Sequence, residues 1–208
     1  MHISEGVLSA PVLAAGAVAT AAGVAVGLRR IDYDRIPQVA IMSAGFFVAS
    51  LIHVPIGVAS VHLVLNGLVG LVLGWAAFPA ILVALALQAL LFQFGGLTSL
   101  GINTLNMALP AVVCGLAFGR PVRGRNDALA LASGFACGSL AIVLSGIMVA
   151  TALICTGESF GAAAGLILAA HLPVALAEGL LSAMCVGFLR KVSPEVLEVA
   201  RALRAVAR

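Results

Sequence analysis

The chain has 208 residues, 62% of them hydrophobic and 9% charged, with a net charge of +3 and a mean hydropathy of +1.20. A soluble domain carries about 25% charged residues, so this composition excludes one and points to an integral membrane protein. The pI near 8.9 gives no indication of nucleic-acid binding, because the basic residues have a topological explanation.

The chain begins "MHISEG", with His2 and Glu5 ahead of the first apolar run and no Lys or Arg. A secretory signal opens on a positive charge, so this start is not one. Apolar segments then run at about 9–28, 37–53, 60–78, 79–95, 104–119, 127–155 and 160–189. A helical span needs roughly 20 apolar residues, and the alternating strands of a β-barrel are not visible.

The first segment carries Ala15, Ala19, Gly23 and Gly27 at four-residue spacing. Gly134 and Gly138 repeat the pattern on the sixth. Such stripes let helices approach closely in lipid, either inside the bundle or against a partner membrane subunit. In "IHVPIG", Pro55 and Gly57 mark a turn beside His53. The third segment, "SVHLVLNGLVGLVLG", is read as a helix that His62 opens, with His62, Asn66, Gly70 and Gly74 on one face. In "HLPVALAEG", His171 and Glu178 share a face of the last span, with Pro173 between them, and are read as a structural polar pair between helices. Cys114, Cys137, Cys155 and Cys185 sit singly in apolar runs and read as small hydrophobes.

All eleven Lys and Arg fall in three places: "RRIDYDR" at Arg29, Arg30 and Arg35, "RPVRGR" at Arg120, Arg123 and Arg125, and the tail from Arg190 to Arg208. Basic loops stay cytoplasmic, and the three share a side only if even numbers of spans separate them. Seven transmembrane helices satisfy this, with the N-terminus outside and the C-terminus cytoplasmic. The fold class is therefore an all-α integral membrane protein, multi-pass in the cell (inner) membrane. Residues 1–190 are expected to form one seven-helix transmembrane domain. Residues 191–208 form a short cytoplasmic amphipathic helix, in which Ser193 is the cap, Pro194 opens the helix and Glu195 lies in its first turn. No Walker A sequence is present, so ATP-driven work needs another subunit.

The N-terminus has a chemistry of its own. His2 is too large for the initiator methionine to be removed, so Met1 is expected to remain. A free α-amine titrates at roughly 7.7–8.0 and can lose its proton near neutrality. That amine, the His2 amide nitrogen and the His2 imidazole close a five-membered and then a six-membered chelate ring. A fourth nitrogen from His62 completes a square. Planar nitrogen coordination suits Ni(II) or Cu(II), whereas Zn(II) prefers a tetrahedron.

With these features in view, "MHISEG" resembles the start of the CbiM/NikM proteins, the substrate-binding membrane subunits of energy-coupling factor (ECF) cobalt and nickel transporters. "SVHLVLNGLVGLVLG", "GINTLNMALPAVVCG" and "HLPVALAEGLLSAMCVGFLRKVSPE" are also similar to family segments, so the likeness covers nearly the whole chain. The resemblance implies an extra N-terminal helix on a six-helix core. It implies a transported Ni²⁺ or Co²⁺ held by the nitrogens of Met1, His2 and His62, and no catalytic cofactor. It also implies a membrane coupling subunit, cytoplasmic ATPase subunits and a small accessory membrane subunit as partners. His53, Asn66, Asn103, Asn106, His171 and Glu178 are the supporting polar candidates. The all-nitrogen plane leans toward nickel. Two other classes remain to be separated. One is an intramembrane metal-dependent enzyme built on His62, His171 and Glu178, against which stands the lack of HExxH or paired carboxylates. The other is a vitamin-binding ECF subunit, which 5% aromatics and the single Trp75 argue against.

Overall fold

The computed structural model describes residues 2–56, 59–157 and 160–198. Among them, helices α1 (Ala10–Leu28) and α2 (Ile36–Ala49) precede a hairpin of β1 (His53–Ile56) and β2 (Ala59–His62). Helices α3 (Asn66–Leu73), α4 (Ala77–Phe92), α5 (Leu100–Val122), α6 (Asp127–Thr156), α7 (Gly161–Val192) and α8 (Pro194–Glu198) follow. Five stretches have the length and apolar character to cross a membrane: Ala10–Leu28, Asn66–Phe92, Leu100–Val122, Asp127–Thr156 and Gly161–Val192.

Local chemistry sets several of the helix ends. Pro11 sits in the first turn of α1, where its missing N–H costs nothing. The Asn126 side chain caps α6 by accepting the Leu129 N–H at 3.1 Å, with Asp127 in the first turn. Arg190 and Lys191 lie in the last turn of α7, at the negative end of its dipole.

Specific contacts give the direction of each pass. At one end of the bundle, the Ser9 N–H meets the Thr156 hydroxyl and the Glu5 N–H meets the Gly95 carbonyl. At the other, Arg30 lies over Trp75, Arg123 donates to the Leu71 carbonyl at 2.9 Å, and Arg190 donates to the carbonyls of Val122 and Gly124. The Gln38 amide reaches the Val196 carbonyl at this same end. The chain therefore passes seven times between the two ends among the described residues. The described basic residues of all three clusters gather at one end and residues 2–6 at the other. The run Asn66–Phe92 is not one straight span, because Gly74, at φ 56°, reverses it between α3 and α4. That conformation is open to glycine and strained for other residues.

The third pass departs from the sequence reading. His62 does not open a helix: it ends strand β2, and α3 begins at Asn66. Pro55 lacks a donor and Gly57 a helical preference, and the apolar residues after them suffice for a strand but not a long helix. The four-residue stripe survives only as Asn66 and Gly70.

Short as it is, α3 is buried along its whole length. Glycines bring its backbone against its neighbours. A Cβ on Gly70 would lie 1.8 Å from the Ala111 carbonyl of α5, and one on Gly115 would lie 2.2 Å from the Gly70 carbonyl. Gly67 meets Gly138 of α6 in the same way. Lipid supplies no hydrophobic drive between helices, so close packing of this kind holds them together.

The α1 stripe also faces inward. A Cβ on Gly23 would fall 2.4 Å from the Phe78 ring, and one on Gly27 2.6 Å from the Trp75 carbonyl. Ala15 is exposed and Ala19 half-buried, so Gly16 and Thr20 complete the buried face instead. Internal packing accounts for the glycines of the stripe. On α7, Leu172, Leu176, Leu180, Met184 and Phe188 form an exposed apolar stripe, while His171, Ala175, Glu178 and Ser182 face the core. Helix α8 opens at Pro194 with Glu195 in its first turn, and Leu197 is buried. The remainder of the expected tail helix lies outside the described residues.

Candidate metal centre

The N-terminal segment is threaded into the bundle. His2 is 4% exposed and Ile3 fully buried, unusual for residues so near a terminus. Ile3 packs with Leu8, Ile102, Val149, Leu153 and Ile167, so three helices receive it. Its backbone is held on both sides by one side chain: the Ile3 N–H donates to Asn103 Oδ1 at 2.9 Å, and Asn103 Nδ2 donates to the Ile3 carbonyl at 3.1 Å. The Ser99 hydroxyl donates to that same carbonyl at 3.0 Å and accepts from Asn103 Nδ2 at 3.1 Å. Each such bond contributes about 0.5–1.5 kcal/mol net. Together they fix the backbone immediately after His2.

The α4–α5 loop forms the other wall. Phe94 lies 6.3 Å from the His2 ring, centroid to centroid. Gly95 has φ 79°, and a Cβ there would sit 3.5 Å from His2 Nδ1 and 3.0 Å from Asn103 Nδ2. Gly96, at φ 143°, meets the Glu5 side chain, whose carboxylate accepts the Thr98 N–H at 3.3 Å. Phe94, Gly95, Gly96 and Ser99 were missed as site residues. The signal available was the pair of glycines after an aromatic in "FQFGGLTSL", one segment before Asn103.

Met1 lies outside the described residues. His53 and His62 are register partners across the hairpin, at its open end. Beyond His62 the chain turns into α3 through Leu63, Val64 and Leu65. There the Glu178 carboxylate accepts the Val64 N–H, and accepts the Leu65 N–H at 2.9 Å from each oxygen. Asn66 donates to the Met107 carbonyl at 3.2 Å and the Ser145 hydroxyl at 3.0 Å.

His171 is buried against Gly146, with Nδ1 2.6 Å from the Ile167 carbonyl. Among the described residues, its Nε2 and both amide atoms of the buried Asn106 have no hydrogen-bond partner. His171 and Glu178 therefore do not form the expected polar pair, since each serves a different element. The structure thus joins His2 to Asn103, and the His62 segment to Glu178. Among the described residues, no three His, Cys, Asp or Glu side chains form a metal-binding group.

Residues 2–196 match the family model for CbiM, the cobalt uptake substrate-specific transmembrane region. The chain belongs to the CbiM family. A Haemophilus influenzae protein named for metal transport is 44% identical over 95% of this chain and 97% of its own length. The CbiM cobalt transport protein of Sorangium cellulosum is 30% identical over 98% and 97% of the two chains. The fused nickel transport protein NikMN of Rhodobacter capsulatus is 41% identical over 52% of this chain and 33% of its own. A crystal structure of a truncated transition metal transporter superposes with a TM-score of 0.72, at 25% identity over 92% and 99% of the chains. The protein is thus a multi-pass membrane member of a cobalt-uptake family.

Proposed function

We propose that this CbiM-family chain is the capture subunit of an ATP-driven ECF importer. It takes one Ni²⁺ or Co²⁺ from outside the cell membrane, with the Met1 amine, the His2 amide and imidazole nitrogens and the His62 imidazole as ligands. The observation that carries the reading is the Asn103 clamp on Ile3, which holds a buried His2 at the end of the bundle away from the basic loops. A terminus serving only as a leader would not need its third residue bound on both backbone groups. The names of relatives support both ions, one being a cobalt and another a nickel transport protein. A membrane coupling subunit, cytoplasmic ATPases and a small accessory membrane subunit would complete the importer. The fused nickel relative, of which this chain matches a third, fits a function divided among parts.

The decisive experiment changes the terminus and nothing else. One residue added before Met1 turns its amine into an ordinary amide and moves the free amine out of the five-membered ring. Metal content and uptake should then fall as far as they do in His2→Ala or His62→Ala, whereas His53→Ala should cost less. Normal metal binding in the extended chain would remove the amine from the ligand set.

A further inference from the structure

We infer that Glu178 is a positioning residue for metal capture: from α7 it holds the backbone turn that follows His62. The inference rests on His62 being a ligand, and deepens that reading by naming what sets the histidine's place.

Three observations meet at this turn. First, Glu178 is fully buried, and its carboxylate accepts the amides of both Val64 and Leu65. Second, Leu65 has φ 55°, one of only two non-glycine residues at positive φ among those described. A side chain larger than glycine is strained there, and such strain persists only where the surroundings hold it. Third, Val64 is itself fully buried, and the next residue after the turn begins the all-buried α3. The segment carrying His62 is thus fixed at its downstream end by one carboxylate, in a conformation leucine would otherwise leave.

The geometry around Glu178 is prepared for that task. Gly138 of α6 lies so close to the Glu178 carbonyl that a Cβ would come within 2.6 Å of it, so α6 and α7 pack backbone to backbone at this level. The amides it binds lie at the positive end of α3, where a negative group is favoured. Partners that orient a metal ligand commonly set affinity by about 10–100-fold.

The test uses the full chain with its native N-terminus, titrated with Ni²⁺ or Co²⁺ while following the metal's ligand-field absorption. Glu178→Gln keeps the shape but offers one acceptor oxygen in place of two. It should remain folded, bind roughly 10–100-fold more weakly and show a shifted band. Adding Leu65→Gly to that variant should restore most of the lost affinity, because glycine takes φ 55° without support. Affinity and band equal to the unmodified chain in folded Glu178→Gln, or no recovery in the double variant, would overturn the inference. Should Glu178→Gln not fold, hydrogen exchange in the unmodified, metal-free protein decides. Slow exchange at Val64 and Leu65 supports the clamp, and exchange at the rate of an open loop overturns it. Full metal binding in His62→Ala would instead sink the ligand assignment on which the inference rests.

Discussion

Asn103 shows how much one side chain contributes at this site. Its amide oxygen takes the Ile3 N–H and its amide nitrogen serves the Ile3 carbonyl, a reciprocal pairing no other residue type of its size can make. Replacing it with Leu keeps the number of side-chain heavy atoms but leaves the buried Ile3 N–H without its acceptor, while Ser99 still serves the carbonyl. A lost buried partner costs about 1–3 kcal/mol, and that cost falls on docking of the first three residues. Asn103→Leu should therefore weaken Ni²⁺ binding by tenfold or more with helix content unchanged by circular dichroism. Unchanged affinity would show that the clamp does not serve the metal. Protons provide a second test at this scale. An α-amine and an imidazole ordinarily hold protons below about pH 8 and about pH 6.5, respectively, and each must be free to bind metal. Falling pH therefore favours the metal-free form: affinity should be highest near pH 8 and drop steadily toward pH 5.5, with proton release on binding measurable by calorimetry. A flat profile would point to carboxylate ligands.

At the level of elements, the long helices were legible because each apolar run was bounded by charge, proline or glycine, and α5, α6 and α7 lie close to the segments read from sequence. The hairpin was not. Residues 59–65 are nearly all apolar, and a short apolar run carries no period that separates a buried strand from a helix. Asn66 and Gly70 then extended a false four-residue rhythm back to His62. The cross-strand partnership of His53 with His62 and the Glu178 clamp both depend on that hairpin, so neither could be read from spacing. His2 and Asn103 were named as candidates, but what links them is the Ile3 backbone, which no residue pattern reports. Glycine roles were partly legible: Gly70 was singled out, yet its partner Ala111 was not. Their contact yields a sharp expectation. A Cβ at Gly70 would meet backbone, not the end of a flexible side chain, so α3 and α5 would have to separate. Gly70→Ala should lower thermal stability markedly and reduce the yield of folded protein in detergent. Gly45→Ala on α2, where a Cβ meets nothing within 4 Å, is the matched control and should leave stability unchanged or slightly raised. Equal melting temperatures for the two variants would refute the tight α3–α5 crossing.

Across the whole molecule, charge and burial divide the two ends. Arg30, Arg35, Arg123 and Arg190 make backbone, aromatic or amide contacts at one end, and Arg190 also pairs with Asp127 at 2.6 Å. That exposed pair contributes little stability, about 0–1 kcal/mol, so the importance of these residues is topological. Loops rich in Lys and Arg resist export across the membrane, so the prediction is that this end lies in the cytoplasm and the His2 end outside. On that prediction the α4–α5 loop, where Leu97 is exposed, faces outward. The α5–α6 loop, closed over by Arg190 bonds to Val122 and Gly124, is predicted to face inward. Single cysteines placed at 97 and at 125, in a chain otherwise freed of its four cysteines, should report this directly. A membrane-impermeant maleimide added to intact cells should label position 97 at once and position 125 only after the membrane is opened. The pairing matters more than either site alone, because these loops flank the single helix α5 and must lie on opposite sides if it spans. Labelling of both from outside would mean that α5 does not cross. Labelling of 125 alone would invert the molecule, place His2 in the cytoplasm and remove the basis for metal capture from outside.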